Sequence, residues 1–210
     1  MFTGIIQEIG KIKSVQLLNS KKYFLINCNT LQHDLKIGES VACNGICMTV
    51  IEFDKSSIKV EAMNQTLITT TANDWKQDNF LHLEKALSFS DRLNGHIVQG
   101  HVDTVSYLIS KFNKNNTLYL EFFLDSTYQN LMVEHGSIAI DGVSLTIANL
   151  NKTSNFFQVA LIGHTVSMTN FESLKVSDKV NLEFDIIGKY ILNLQPKKTI
   201  TEKWLIENGF

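Results

Sequence analysis

The sequence is poor in proline, arginine and cysteine: its 210 residues include one proline and three cysteines, and Arg92 is the single arginine. Lys and Arg number 19 and Asp and Glu 21, so the formal net charge is -2 and no basic block stands out. Since phosphate binding needs a basic face, nucleic acid is not an expected partner. The near absence of guanidinium groups leans toward an unphosphorylated ligand, although drift in a chain rich in Asn, Lys and Ile explains it as well.

The cysteines Cys28, Cys43 and Cys47 are too few, and odd in number, for a disulfide framework, which suits a reducing cytoplasm. The first eight residues have no basic stretch and reach an acid at Glu8, so no secretory signal is expected. No apolar run approaches the thickness of a bilayer, and no membrane association is expected. Neither G-x-G-x-x-G, nor a P-loop, nor a G-x-S-x-G elbow occurs, which disfavours the usual nucleotide-dependent enzymes.

The chain contains an internal duplication. Residues 44–49 (NGICMT) match residues 141–146 (DGVSLT), and Asn64-Gln65-Thr66 matches Gly163-His164-Thr165. The segments Leu81-His82-Leu83-Glu84 and Val180-Asn181-Leu182-Glu183 also align. Two copies of a long unit indicate two similar domains rather than a solenoid.

Each copy has the pattern of an antiparallel β-structure. Asn44-Gly45 and Asp141-Gly142 lie between apolar stretches and predict hairpin turns. Lys59–Met63 and Leu118–Leu124 are typical of short strands, and several such strands per copy favour a small closed barrel. Near the end, Ile187, Tyr190, Ile191 and Leu194 follow the helical period and Pro196 should end the helix, which either caps a core or joins subunits.

Two histidines at the boundary between the repeats and one cysteine within the first repeat are candidates for chemistry. Residues 95–101 (GHIVQGH) carry His96 and His101 beside glycines, and histidine moves protons near neutral pH. The alternatives are a structural histidine in a turn or a metal pair, but the spacing fits no common zinc pattern, so no metal is expected. Cys47 aligns with Ser144, and strand alternation puts Cys47 and Thr49 on one face; Cys47 is otherwise a small buried apolar residue.

These segments together resemble the α-type riboflavin synthase family over essentially the whole chain. The resemblance rests on their order, spacing and duplication, and its segments are residues 1–6 (MFTGII), 44–50 (NGICMTV), 95–102 (GHIVQGHV), 141–146 (DGVSLT), 187–190 (IGKY) and 205–210 (LIENGF).

The resemblance implies a mainly β fold of two tandem six-stranded antiparallel Greek-key barrels, residues 1–95 and 96–186, followed by a C-terminal helix and tail, residues 187–210. It implies a cytoplasmic homotrimer held by that helix, with the active site between the N-terminal barrel of one subunit and the C-terminal barrel of the next. The implied reaction transfers a four-carbon unit between two molecules of 6,7-dimethyl-8-ribityllumazine and yields riboflavin and a pyrimidinedione. It needs no cofactor, because the acidic C7 methyl group of the lumazine supplies the carbanion. Association with lumazine synthase is left open.

The resemblance also assigns residues by matched position. It implies catalytic roles for His101, the main proton-transfer group, and for Cys47, Ser40 and Asp185. The implied first pocket has Gly4, Ile5 and Ile6 with Phe2 just before them, and the second has Gly100, His101 and Val102, with His135 as a further contact. The other implied substrate contacts are Cys47, Met48, Thr49, Glu61, Ala62, Met63, Asn64, Gln65 and Thr66 in the first pocket, and Ser144, Leu145, Thr146, Ile162, Gly163, His164, Thr165, Val166 and Ser167 in the second.

Two departures and two rival functions accompany the resemblance. Relatives commonly have Pro-Glu-Thr where this chain has Asn64-Gln65-Thr66, and Pro at Gly163, which puts a charged contact at Gln65 in doubt. The first rival is a non-catalytic lumazine- or flavin-binding antenna protein on the same scaffold, against which the presence of His101, Ser144 and Thr146 argues. The second, a flavin-dependent reductase, should carry a nucleotide-binding α/β domain, for which the chain has no motif. The remaining alternative, a purely structural role, leaves the paired polar pockets unexplained.

Overall fold

A computed structural model describes residues 1–194 together with Ile206 and Gly209. Twelve strands of this part of the chain form two closed antiparallel barrels. The first barrel contains β1 (Glu8–Leu18), β2 (Lys21–Asn27), β3 (Ser40–Cys43), β4 (Ile46–Phe53), β5 (Ser57–Ala62) and β6 (Phe80–Lys85). The second contains β7 (Thr104–Lys114), β8 (Thr117–Phe123), β9 (Ser137–Ile140), β10 (Val143–Asn151), β11 (Phe156–Leu161) and β12 (Lys179–Phe184).

The two barrels share one topology. Around the first, the strand order is β1-β2-β5-β4-β3-β6, and the second repeats it as β7-β8-β11-β10-β9-β12. The register shifts at matched places, between Val50 and Glu52 in β4 and between Ile147 and Asn149 in β10. Such bulges bend a strand and help a small sheet to close. The expectation of a mainly β protein with two six-stranded barrels is confirmed.

Strand alternation produces a separate core in each barrel. Ile58, Val60 and Ala62 of β5 point inward and are at most 1% exposed, as are Phe157, Val159 and Leu161 of β11. Both predicted turns occur, with φ of 43° and 75° at Asn44-Gly45 and 44° and 80° at Asp141-Gly142. Positive φ at both central residues is the geometry that these dipeptides favour.

Short helices interrupt the strands and were not predicted. The α-helices α1 (Asn64–Thr69) and α2 (Gly163–Met168) follow β5 and β11. Of the candidate contacts at residues 61–66, only Glu61 and Ala62 therefore lie on a strand. Three 3-10 turns span Thr71–Asp74, Ser126–Leu131 and Phe171–Ser173. Because α1 and α2 lie at matched places, they belong to the repeat.

The predicted C-terminal helix is present as α3 (Ile186–Leu194). The four positions of the predicted apolar period, Ile187, Tyr190, Ile191 and Leu194, are each more than half exposed. Pro196 and most of the tail lie outside the described residues. The domain limits after residues 95 and 186 stay a prediction. Within the described part of the chain, no helix combines the length and the apolar character needed to cross a bilayer.

Candidate functional site

Two extended segments cross between the barrels, the first arm (residues 2–6) and the second arm (residues 98–102). They meet at Phe2 and Val98, whose backbones exchange hydrogen bonds: the N–H of Phe2 donates to the carbonyl of Val98 over 2.6 Å, and the N–H of Val98 donates back over 3.1 Å. Both side chains are 1% exposed and pack with Ala42 and Ala139. Phe2 therefore lies in the small core where the arms cross.

Each arm continues onto the other barrel. The N–H of Ser144, on β10 of the second barrel, donates to the carbonyl of Gly4 over 2.8 Å, and Ile6 packs in the second-barrel core. The N–H of Cys47, on β4 of the first barrel, donates to the carbonyl of Gly100 over 2.8 Å, and Val102 packs against the first-barrel core. The expected grouping is therefore wrong. Gly4, Ile5 and Ile6 lie with Ser144, whereas Gly100, His101 and Val102 lie with Cys47, because the arms are exchanged.

Glycine is required where each arm touches its strand. A Cβ atom on Gly4 would lie 2.6 Å from Cβ of Ser144, and one on Gly100 would lie 2.6 Å from Cβ of Cys47. Real Cβ atoms do not approach so closely, and φ is +76° and +79° at the two glycines, a region that L-residues rarely adopt. These glycines allow the arm backbone to lie directly against Cys47 and Ser144.

Two buried glutamates fix the tips of the arms. The carboxylate of Glu84 on β6 accepts hydrogen bonds from the N–H of Thr3 over 2.7 Å, the Thr3 hydroxyl over 2.8 Å and the N–H of Gly4 over 3.0 Å. The carboxylate of Glu183 on β12 accepts from the N–H groups of Gln99, Gly100 and His101 over 2.6, 2.9 and 2.9 Å. Burial raises the pKa of both carboxyls, and the donated hydrogen bonds oppose that rise.

The two hairpin turns face one another across a local two-fold axis. The N–H of His82 donates to the side-chain oxygen of Asn44 over 2.7 Å, and the N–H of Asn181 donates to Asp141 over 2.8 Å. Across the axis, Nδ1 of His82 lies 3.0 Å from the carbonyl of Asp141, and the amide of Asn181 donates to the carbonyl of Asn44 over 2.8 Å. These contacts set the two pockets in fixed relation to each other.

The second pocket is a cavity of about 80 Å³ beside the first arm. Its lining residues are Gly4, Ile5, Ile6, Val143, Ser144, His164, Thr165, Met168 and Thr169. Ligand pockets usually measure about 300–1,000 Å³. The cavity within this chain is therefore too small to enclose a ligand of that size by itself.

The second arm meets the first barrel in the same way, at the place where the first pocket is expected. His101 corresponds to Ile5 and is exposed between Gly100 and Val102. Cys47 is half-buried and Thr49 exposed on the outer face of β4, whereas Met48 points into the core. Ser144, Leu145 and Thr146 of β10 repeat that pattern.

The comparisons with known proteins agree with this geometry. The lumazine binding domain family matches the chain twice, at residues 3–86 and 99–185. The riboflavin synthase of Bacillus subtilis (strain 168) is 38% identical over 100% of both chains. That of Photobacterium phosphoreum is 37% identical over 100% of this chain and 99% of the relative, and that of Saccharomyces cerevisiae is 35% identical over 91% and 84%.

The chain belongs to the riboflavin synthase family. Two solved structures are similar in fold. LumP complexed with 6,7-dimethyl-8-(1'-D-ribityl) lumazine has a TM-score of 0.78 at 21% identity, and covers 87% of this chain and 98% of its own. LumP complexed with riboflavin has a TM-score of 0.80 at 20% identity, over 88% and 99%.

In this member of the riboflavin synthase family, three further candidate site residues lie in separate parts of the chain. Ser40 pairs with Thr49 across β3 and β4 of the first barrel. Asp185 lies immediately before α3, where its carboxylate accepts from the N–H of Ile187 over 3.0 Å. His135 is exposed in the turn before β9, with φ of +66°.

The other candidates surround the two pocket mouths. Glu61 lies opposite Thr49 and its carboxylate is 3.2 Å from the amine of Lys21. Ala62 is buried, Thr66 is half-buried, and Met63, Asn64 and Gln65 are exposed around the start of α1. At the start of α2, Ile162, Gly163, His164 and Ser167 are exposed, and Thr165 and Val166 are half-buried.

Sequence reasoning missed the residues that hold the arms and the axis. Glu84, Glu183, His82 and Asn181 lie in segments whose repetition was recognised, but only their alignment was used. A polar residue repeated at the same place in two barrels was the available signal, because it marks a contact that both copies need.

Proposed function

We propose that the chain is a riboflavin synthase. It binds two molecules of 6,7-dimethyl-8-ribityllumazine and transfers a four-carbon unit from one to the other. The acceptor becomes riboflavin and the donor becomes 5-amino-6-ribitylamino-pyrimidinedione. All atoms of the two substrates appear in the two products, so the reaction requires no oxidant or reductant from outside.

The observation that carries this proposal is the pair of matched arm–strand contacts, one on each barrel, in a member of the riboflavin synthase family. Ser144 with the first arm and Cys47 with the second arm are built on the same backbone hydrogen bond, 2.8 Å in each case. A reaction between two copies of one molecule suits two pockets of one design. Holding both substrates in a fixed alignment lowers the barrier, because most of the orientational entropy is lost on binding.

The proton transfers are assigned to the second arm. His101 follows Gly100, which touches Cys47, and its N–H is held by Glu183 over 2.9 Å. A histidine held at the rim of the first pocket is suited to remove a proton from the C7 methyl group of a bound lumazine. Cys47 assists by hydrogen bonding, and Thr49, Ser144 and Thr146 hold pteridine or ribityl oxygens.

Assembly as a homotrimer would complete the site. Ser40 and Asp185 belong to different barrels, and the second pocket is open on one side. The exposed apolar side chains of α3 supply a contact surface between subunits. In the proposed trimer, the first pocket of one subunit faces the second pocket of its neighbour. The enzyme would work in the cytoplasm, and an association with lumazine synthase would deliver its substrate.

Incubation of the purified protein with 6,7-dimethyl-8-ribityllumazine alone tests this function. Chromatography with mass detection should find one riboflavin formed for every two lumazines consumed, together with the pyrimidinedione. Tight binding of a lumazine that remains unchanged would contradict the proposal and would identify a carrier or antenna protein instead.

A further inference from the structure

The imidazole of His96 lies beside the hydroxyl of Ser144, with 2.7 Å between Nδ1 and Oγ. His96 is 9% exposed, and its N–H donates to the carbonyl of Thr3 over 3.2 Å. The preceding residue must be glycine, since a Cβ atom on Gly95 would lie 2.0 Å from the carbonyl oxygen of Thr3. The backbone is thus pressed against the first arm in a way that brings His96 to Ser144.

Hydrogen bonding distinguishes His96 from a structural histidine. Both ring nitrogens of His82 are used, Nδ1 at 3.0 Å from the carbonyl of Asp141 and Nε2 accepting from the N–H of Asn170 over 3.0 Å. In the described part of the chain, by contrast, Nε2 of His96 is buried without a partner. A buried polar atom left unpaired opposes folding, so the fold alone does not account for a histidine here.

The contact with His96 makes the two pockets chemically different. Ser144 and Cys47 occupy equivalent places, and each donates its N–H to an arm glycine over 2.8 Å. At Ser144 the side chain is a hydroxyl paired with an imidazole, whereas at Cys47 it is a free, half-buried thiol. Burial lowers the pKa of His96, and the nearby carboxylate of Asp185 opposes this. A neutral imidazole holds the rotation of a hydroxyl and leaves it available to a second partner.

We propose that His96 is a positioning residue that orients the hydroxyl of Ser144 toward the polar edge of a flat heteroaromatic ligand in the second pocket. The ligand class is a pteridine or isoalloxazine with adjacent carbonyl and ring-nitrogen acceptors. This inference rests on the proposed function and extends it, because it makes two pockets of matched backbone unequal in affinity. His96 acts through Ser144 and does not itself touch the reacting atoms.

Calorimetric titration with riboflavin tests the inference, since the product alone is bound but not consumed. The variants are Ser144→Ala, His96→Ala, the double variant, His96→Asn and His96→Gln, with His33→Ala as the control at an exposed histidine. Asparagine places an amide near the position of Nδ1, whereas glutamine places it near that of Nε2. Thermal melting of each variant identifies any that does not fold.

Ser144→Ala should weaken one of the two riboflavin sites, and His96→Ala should weaken the same site roughly tenfold, the effect of one hydrogen bond. The double variant should be no weaker than Ser144→Ala, because the two residues act as a unit. His96→Asn should restore the affinity of the weakened site, whereas His96→Gln should leave it as weak as in His96→Ala. His33→Ala should bind riboflavin as the unaltered protein does. The unaltered protein should itself show two riboflavin sites of different affinity, and two sites of equal affinity would contradict the inference.

An equal loss at both sites, additive effects of His96→Ala and Ser144→Ala, or rescue by glutamine as well as by asparagine would overturn the inference. Turnover of lumazine by the unaltered protein, measured in parallel, separates this result from the proposed function. If the protein makes riboflavin but the variants lack the expected pattern, only the role of His96 fails. If it makes none, the proposed function fails whatever the variants bind.

Discussion

Asp141 and Asn44 occupy the same place in the two barrels, yet one is an acid and the other an amide. Asp141 is 4% exposed, and burial raises the pKa of its carboxyl to about 7. The carboxyl is therefore largely neutral in the fold up to that pH and substitutes for the amide of Asn44. The pKa of Asp141 in the fold exceeds the ordinary value of about 3.9. The contribution of this carboxyl to the free energy of unfolding is therefore complete in acid and is lost as the pH rises toward 7.

We expect Asp141→Asn to make the protein more stable at alkaline pH. At about pH 8 the free energy of unfolding should rise by on the order of 2 kcal/mol, and near pH 4 the variant and the unaltered protein should differ little. Chemical denaturation at the two pH values measures this. His82 has the opposite pH dependence. Burial lowers its pKa to about 4, so its contribution to the free energy of unfolding is lost as the pH falls from about 6.5 toward 4. An equal effect of Asp141→Asn at both pH values would contradict the account.

Close contact, rather than backbone strain alone, should make Gly100 irreplaceable. Gly38 has φ of +91° with nothing within 4 Å of an added Cβ atom, whereas Gly100 has φ of +79° and an added Cβ atom 2.6 Å from Cys47. Gly38→Ala should cost about 1 kcal/mol of unfolding free energy from strain. Gly100→Ala should cost at least twice as much and abolish riboflavin formation. Denaturation curves of the two variants measure this difference. Coinciding curves would show that contact with Cys47 does not add to the cost of a Cβ atom at residue 100.

For single residues, sequence patterns predict which positions matter better than they predict which residues are in contact. Cys47 and Ser144 could be identified because they follow recognisable turns in a repeat. Glu84 and Glu183 were missed, since a glutamate after an apolar residue in a strand has the pattern of a solvent-facing side chain and only its repetition in both copies signals a contact. Only the path of the arms makes their burial necessary.

Among the secondary-structure elements, strands and hairpin turns could be predicted from local sequence patterns. Apolar alternation in β5 and positive-φ dipeptides at Asn44 and Asp141 are local signals, and they predicted the elements that the structure contains. Helix α1 gave no such signal, because its six residues include a β-branched Ile68 and two threonines, and Met63 provides no side-chain cap. Its position depends on the barrel to which it is attached.

The exchange of arms could not be predicted from a duplicated sequence. A repeat gives the same pattern whether each arm stays with its own barrel or crosses to the other. The distinction rests on contacts far apart in sequence, such as Gly4 with Ser144 and Gly100 with Cys47. The duplicated sequence therefore led to an assignment of the arms to the wrong barrels.

The second arm should depend on the charge of Glu183. Its carboxylate accepts three N–H groups, and an amide in its place has one acceptor oxygen and two unwanted donors. Glu183→Gln should lower kcat/KM for lumazine roughly tenfold or more, which corresponds to the loss of one or two charged hydrogen bonds. Steady-state kinetics measures this effect.

The control for this change is Glu52→Gln on β4, where the carboxylate is exposed and accepts from the amine of Lys59 over 3.2 Å. That variant should match the unaltered protein. Glu84→Gln, the equivalent change at the first arm, should also lower kcat/KM. Unchanged kinetics in Glu183→Gln would mean that the arm holds its position without the carboxylate.

For the whole molecule, assembly is the proposed feature that completes the chemistry. Ile191 is 56% exposed on α3, and Ile191→Glu places a charge on the proposed subunit contact. We expect sedimentation to detect a monomer in place of the proposed trimer, with riboflavin formation lost and lumazine binding retained. Leu17→Glu, at an exposed position of β1, should leave both assembly and activity intact. An active monomer would contradict the proposed intersubunit site.

The central claim is that two lumazines react with each other on this protein, and a crossover experiment tests it most directly. Equal amounts of unlabelled lumazine and of lumazine labelled with ¹³C in its two methyl groups and in C6 and C7 are mixed with the protein. The account predicts that hybrid riboflavin, with one labelled and one unlabelled four-carbon unit, is the most abundant mass. Riboflavin without the hybrid mass, or no riboflavin at all, would contradict the account.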